Sequence, residues 1–181
     1  MNRMLKRITV SVAVVGTVFL MLISGFYMAG ARINTTKSIP VGLYWTSTMP
    51  IEKIKKGAYV LFCPPQNSIF DEAKTRDYIG SGTCPGGYGL MMKRVLAAQN
   101  DVVSVDDTGV CVNGKLLPHS TPIKADTIGR PLPCYRVDHY ALSHTELLLM
   151  SDVSATSFDS RYFGPIDRSQ IKTVIFPVMT W

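Results

Sequence analysis

Residues 90–117 read LMMKRVLAAQNDVVSVDDTGVCVNGKLL. Within them LMMKRVLAA (90–98), DVVSV (101–105) and GVCV (109–112) are short runs rich in apolar and β-branched residues, the pattern of strands. Asn113-Gly114 follows, and because both residue types tolerate positive φ, a hairpin is expected at that point. Working outward, AYVLF (58–62), ELLLM (146–150) and TVIFPV (173–178) have the same character, broken by Gly, Pro and Asn. Helical periodicity is weak, apart from a short helix expected near residues 71–78 and one apolar run at the N-terminus. A mostly β body follows.

Two stretches interrupt the strands. Residues 64–89 carry three prolines and five glycines and would be tied at their base by Cys63 and Cys84, and residues 118–138 carry four prolines and would be anchored by Cys111 and Cys134. Both read as excursions from the β body. None of the four cysteines forms a C-x-x-C pair, and His119, His139 and His144 do not supply zinc-ligand spacing, so neither a metal site nor a cofactor is expected. An even cysteine count in an oxidising compartment favours two disulfides. Of the three connectivities the sequential one is taken, Cys63 with Cys84 and Cys111 with Cys134. Each would close a loop of about twenty residues and stabilise by roughly 3 kcal/mol in the chain-entropy model.

Residues 8–30, ITVSVAVVGTVFLMLISGFYMAG, are uncharged. As a helix they would measure about 35 Å, enough to span a bilayer. Arg3, Lys6 and Arg7 precede them without an acidic residue, which keeps residues 1–7 in the cytoplasm and exports residues 31–181. A retained inner-membrane anchor with a periplasmic body is expected; a cleaved leader is the competing reading, since Ala29-Gly30-Ala31 fits a small-residue cleavage pattern. The 181-residue chain has 19 basic and 13 acidic residues, a formal net charge of +6. Three of the basic residues are in the tip, which leaves 16 against 13 in the exported part. That balance, without a basic cluster interleaved with aromatics, argues against direct nucleic-acid binding.

Three stretches could carry chemistry. In TTKSIPVGLYW (35–45), Ser38 lies just past the apolar run, either in a polar linker leading to a first strand or as a nucleophile near the membrane surface. In a strand over 90–98, Lys93 shares a face with Met91, Val95 and Ala97, and Arg94 shares the other with Met92 and Leu96. Arginine cannot give up its proton, whereas a buried lysine has its pKa lowered by desolvation and becomes a neutral amine, a general base, near pH 7. Serine needs such a base. The third stretch is SDVSATSFDSRYFGPI (151–166), where Asp159 and Arg161 could pair, as a surface ion pair worth little by itself. Ser157 is a hydrogen-bond partner for an amine. No G-x-S-x-G elbow accompanies any serine, so a histidine-based triad lacks its signature.

Together, TKSIP, KRV and SFDSRYFG, in this order after an apolar segment, resemble the blocks of the type I signal peptidase family, membrane-anchored serine proteases with a Ser-Lys dyad on a β-rich fold. KSIPVGLYW is similar to the TraF-type branch, the conjugative transfer signal peptidases of plasmids. The resemblance implies Ser38 as nucleophile, Lys93 as base, and Thr36 with the Ser38 backbone N–H as oxyanion donors. It implies Ser157 as the residue orienting the lysine, the Asp159–Arg161 pair as a brace, and dependence of the branch on Asp159.

The reaction implied is maturation of a conjugative pilin precursor by removal of a C-terminal piece, after which the pilin's own N-terminal amine attacks the acyl-enzyme and closes a ring. The implied partners are that precursor, the membrane and components of a conjugative type IV secretion system. Two alternatives stand beside it: a general signal peptidase that hydrolyses exported precursors, and a non-catalytic anchored component of the conjugative machinery. The sequence departs from the general family in having Ile39-Pro40 directly after the serine, LAAQND after K-R-V, and Ser151-Asp152-Val153 opening the last block, which leaves the role of Asp152 open.

Overall fold

The computed structural model describes residues 3–181 and divides them into two units, residues 3–32 and 33–181. The first is dominated by α1 (Arg3–Ala29), a 27-residue helix. None of its residues is buried, and by length and composition it could cross a membrane. Its hydroxyls are satisfied internally, Thr9 donating to the Leu5 carbonyl and Thr17 to the Ala13 carbonyl, the back-bonding that lets threonine sit in an apolar helix. It stops at Gly30, whose φ of 114° is open to glycine but strained for other residues.

The second unit is mostly β. Its elements are β1 (Ala31–Asn34, of which Ile33 and Asn34 belong to this unit), β2 (Gly42–Thr46), β3 (Tyr59–Phe62), α2 (Ser68–Thr75), β4 (Ser81–Cys84), β5 (Met91–Ala97), β6 (Val102–Val105), β7 (Val110–Val112), β8 (Lys115–Leu116), β9 (Val137–Ala141), β10 (Glu146–Met150), α3 (Ser160–Phe163), β11 (Ile166–Asp167) and β12 (Ile171–Thr180). They form a seven-stranded sheet, β1-β2-β12-β3-β5-β10-β11, and a four-stranded sheet, β8-β7-β6-β9. The hairpin between β7 and β8 turns at Asn113 and Gly114, with φ of 52° and 76°. The short helix begins three residues before its expected start because the Asn67 side chain accepts from the Phe70 N–H and caps it there.

β10 explains how the two sheets join. ELLLM has no polar alternation after its first residue, and Leu147 to Met150 are all fully buried. Leu147 and Leu149 pack with Val60, Phe62, Phe70 and Val95, while Leu148 and Met150 pack with Ala97, Val103, Val105 and Val112. The strand is therefore covered on both faces, one toward α2 and the other toward the small sheet, which is why it reads as a continuous apolar run. Its neighbour β5, flanked by β3 on one side and β10 on the other, is equally central.

Cys63 and Cys84 form a disulfide with a Cα–Cα distance of 5.5 Å, tying the base of the first excursion. The expected Cys111–Cys134 bridge is absent, and both residues are free thiols. Cys111 lies on β7 opposite Ser104 of β6, whereas Cys134 precedes β9 on the other side of β6. The second excursion is held by other bonds. Tyr78 Oη donates to Asp126 Oδ2 at 2.6 Å, Arg76 Nη1 to the Pro131 carbonyl at 2.7 Å, and the Ile123 N–H to Tyr162 Oη at 3.1 Å.

Candidate active site

Ser38 sits in a tight turn directly after β1, half-buried beside the fully buried Ile39. Asn34, 4 % exposed, organises this turn from within. Its Nδ2 donates to the carbonyls of Thr36 (2.7 Å), Ile39 (2.9 Å) and Pro40 (3.1 Å), and its Oδ1 accepts from the Thr36 N–H (3.2 Å) and Thr36 Oγ1 (3.0 Å). Tyr44 Oη donates to the Pro40 carbonyl at 2.6 Å. The Oγ atoms of Ser38 and Thr36 are 2.7 Å apart.

Lys93 is 3 % exposed at the centre of β5, with Met91, Val95 and Ala97 buried along the same face, in the predicted alternation. It pairs with Val60 across β3. Its Nζ donates to Ser157 Oγ at 2.6 Å. Burial pushes its pKa down to about 8; the Asp159 carboxylate opposes the shift and the Arg161 guanidinium adds to it. At pH 7 about a tenth of such a group is the free amine, less neutral than the sequence suggests.

Ser38 and Lys93, with Thr36 and Ser157, line one cleft of about 410 Å³, together with residues 78–80 and 90–92. Ser38 and Lys93 are each hydrogen-bonded to a separate hydroxyl partner, Ser38 to Thr36 and Lys93 to Ser157, and no bond joins them directly. None of the three histidines borders the cleft. Among the described residues no cluster of three histidine, cysteine or acidic side chains could hold a metal ion.

Asp159 and Arg161, expected at the surface, are instead fully buried. Arg161 Nε and Nη2 donate to Asp159 Oδ1 and Oδ2, both at 2.8 Å. Asp159 also caps α3, accepting from the Arg161 N–H, and it accepts from the Ser151 N–H at 3.1 Å. The remaining guanidinium hydrogens reach the carbonyls of Ala155 (2.7 Å), Ser157 (2.9 Å) and His119 (3.0 Å). This saturation with acceptors is what makes a buried ion pair tolerable. Arg161 thus binds the loop carrying Ser157 to the start of the second excursion. Ser151 Oγ in turn donates to the Lys37 carbonyl at 3.3 Å, linking the aspartate's neighbour to the Ser38 turn.

Asp152 forms an ion pair with Arg94, whose guanidinium lies 5.3 Å above the Tyr59 ring, on the face of β5 opposite Lys93. Asn34 and Ser151 were not singled out in the sequence. Asn34 had a readable signal, an Asx residue opening a turn that contains the serine. The bridge made by Ser151 depends on tertiary contact and left no local trace.

The model of the signal peptidase family, peptidase S26, matches residues 1–180. The chain belongs to this family of serine peptidases. Among its relatives, a plasmid transfer protein TraF of Escherichia coli is 67 % identical over 181 residues, all of both chains. The conjugal transfer protein TraF of Agrobacterium fabrum (strain C58 / ATCC 33970) is 34 % identical over 154 residues, 85 % of each chain. These relatives place it in the TraF-type branch. A crystal structure of a signal peptidase I from Enterococcus faecalis V583 aligns with a TM-score of 0.38 at 15 % identity, covering 67 % of this chain and 96 % of that one.

Proposed function

We propose that the chain is a membrane-anchored serine peptidase that matures the conjugative pilin precursor, with Ser38 as nucleophile and Lys93 as general base. The observation that carries this is the placement of a buried lysine, its pKa lowered to about 8, in the cleft that Ser38 also lines. A scaffold has no use for a desolvated amine beside a hydroxyl. The family match, the names of the TraF relatives and the apolar α1 support the rest of the reading.

In this mechanism the Ser38 hydroxyl leaves Thr36 and gives its proton to Lys93 Nζ as Oγ bonds to the scissile carbonyl carbon. Hydrogen bonds of an unliganded site commonly tighten only once substrate is bound. The oxyanion is held by the Ser38 N–H and the Thr36 hydroxyl. Collapse breaks the C–N bond, and the proton on Lys93 goes to the leaving amine. The resulting ester is attacked by the precursor's N-terminal amine, which regenerates the Ser38 hydroxyl and closes a cyclic peptide; aminolysis outruns hydrolysis if the tethered amine has a high effective concentration and water is excluded. Ser157 orients the lysine, and the Asp159–Arg161 pair braces the loop that carries it.

The body would lie in the periplasm, with α1 in the inner membrane and residues 1–7 in the cytoplasm, close to conjugative type IV secretion components. The test is the intact mass of a pilin precursor co-expressed with the wild-type chain or with Ser38→Ala. A product lighter by one water than the linear cleaved form, absent with Ser38→Ala, is expected. A linear product would reassign the enzyme to general signal-peptide hydrolysis, and processing that survives Ser38→Ala would remove the dyad.

A further inference from the structure

We propose that Asn34 is a positioning residue that sets the direction of the Ser38 proton: its buried carboxamide fixes the nucleophile turn and, through Thr36, keeps the Ser38 hydroxyl donating to Thr36 instead of Lys93 until substrate enters. The proposal rests on the Ser-Lys reading of the site.

The orientation of the Asn34 amide follows from its partners. Three carbonyl oxygens, those of Thr36, Ile39 and Pro40, surround one terminal atom, and only the Nδ2 hydrogens satisfy them. The other terminal atom faces the Thr36 N–H, a pure donor, so it is Oδ1. Both ends of the group give the same answer, which settles the amide flip. Oδ1 can only accept, so the 3.0 Å contact with Thr36 Oγ1 uses the single hydroxyl hydrogen of Thr36. The 2.7 Å contact between Thr36 and Ser38 must then be donated by Ser38. Donation runs in one direction, from Ser38 to Thr36 to Asn34, and ends on a side chain that is 4 % exposed.

Two consequences follow for the reaction. Lys93 is meanwhile occupied with Ser157, so the resting site holds nucleophile and base on separate hydroxyl partners. Acylation requires both hydroxyl hydrogens of the turn to be reassigned, that of Ser38 to Lys93 and that of Thr36 to the oxyanion. Asn34 lets this happen without loss of the turn, since its bonds to the Thr36 N–H and the three carbonyls need not change. It acts through Thr36 and the turn, without touching the reacting atoms.

The experiment measures the rate of Ser38 acylation by a penem, followed by intact mass on the full chain in detergent, for wild type, Asn34→Ala, Asn34→Asp, Thr36→Val and the doubles with Thr36→Val, with melting temperatures alongside. Asn34→Ala is expected to slow acylation by about 30-fold or more in the native background but by less than about 3-fold in the Thr36→Val background, because residues acting as one unit are non-additive. Equal losses in both backgrounds, or no loss, overturn the proposal; a merely structural asparagine gives equal losses. If Asn34→Ala does not fold, Asn34→Leu, similar in size but without the Oδ1 acceptor, carries the same comparison. Asn34→Asp keeps the acceptor for Thr36 Oγ1 and loses only the donations to the three carbonyls, so its effect on acylation must be equal in the two Thr36 backgrounds; a Thr36-dependent effect of Asn34→Asp overturns the proposal. Failure of the underlying reading is distinguishable. A wild-type chain that is not acylated, or labelling that survives Ser38→Ala, removes the dyad and this inference with it, whereas Lys93-dependent labelling with additive Asn34 losses removes the inference alone.

Discussion

Lys93 Nζ and Ser157 Oγ meet at 2.6 Å, a buried hydrogen bond between residues 64 positions apart. The hydroxyl can accept from an ammonium and donate to a neutral amine, so this partner serves both protonation states of the lysine. Ser157→Ala leaves the amine unguided in its pocket. It is expected to lower kcat by about 10- to 100-fold with KM nearly unchanged, the range in which loss of a supporting partner falls. Steady-state kinetics on a processed precursor check this, and a change confined to KM would assign Ser157 to substrate binding.

The acylation rate is expected to rise with pH through about 8, following release of the Lys93 proton. Stability has the same sign. The folded pKa is lowered from 10.5 to about 8, so between these values the unfolded chain binds more protons and stability rises with pH. Below about 8 the full cost of burying the ammonium remains, about 3 kcal/mol for a shift of this size. Lys93→Met is therefore expected to be inactive yet more stable than wild type at pH 7, with the advantage fading toward pH 10. Denaturant melts at the two pH values measure it, and an equal gain at both would show that the gain has nothing to do with charge.

Lys93→Arg separates a base from a structural cation. It keeps the charge and cannot lose it, so no acylation of Ser38 is expected at any pH up to 10. Mass-detected acylation in this variant would make the lysine structural.

Asp159→Ala leaves Arg161 as an uncompensated cation in a site that is fully buried. A destabilisation of about 3–5 kcal/mol is expected, with loss of the loop that carries Ser157. Chemical denaturation is the measurement. An Asp159→Ala protein that unfolds like wild type but does not turn over would give the carboxylate a part in the chemistry beyond bracing.

Reduction is expected to lower stability by roughly 3 kcal/mol, since the Cys63–Cys84 bridge spans 21 positions. Replacing Cys111 and Cys134 with serine should leave the melting temperature of the oxidised protein nearly unchanged. Alkylation of the native, unreduced protein after denaturation should add two labels; incorporation of none would show a second bridge.

The strands around Lys93 were legible in sequence because an alternating or continuous apolar pattern marks a buried sheet, and Asn113-Gly114 marked its hairpin by backbone preference alone. β9 was not legible. Val137 to Ala141 is VDHYA, largely exposed along its length, and its place in the small sheet comes from pairing with β6 and not from its own composition. Ser38, Lys93 and Ser157 could be picked out by motif, and the structure brings them to one cleft. The second disulfide failed because cysteine count carries no information on which strand intervenes. Burial of the Asp159–Arg161 pair was hidden for a similar reason: most of its acceptors are backbone carbonyls, which every sequence has.

Ser38, Lys93 and Ser157 reach the cleft from three places far apart along the polypeptide: the turn after β1, the middle of β5 and the loop before α3. A partly folded chain holds Ser38 and Lys93 without Ser157 beside them, and the Lys93 amine stays in water until β3 and β10 close around β5. The depressed basicity of that amine is therefore a product of completed tertiary structure, absent from any unfinished fold.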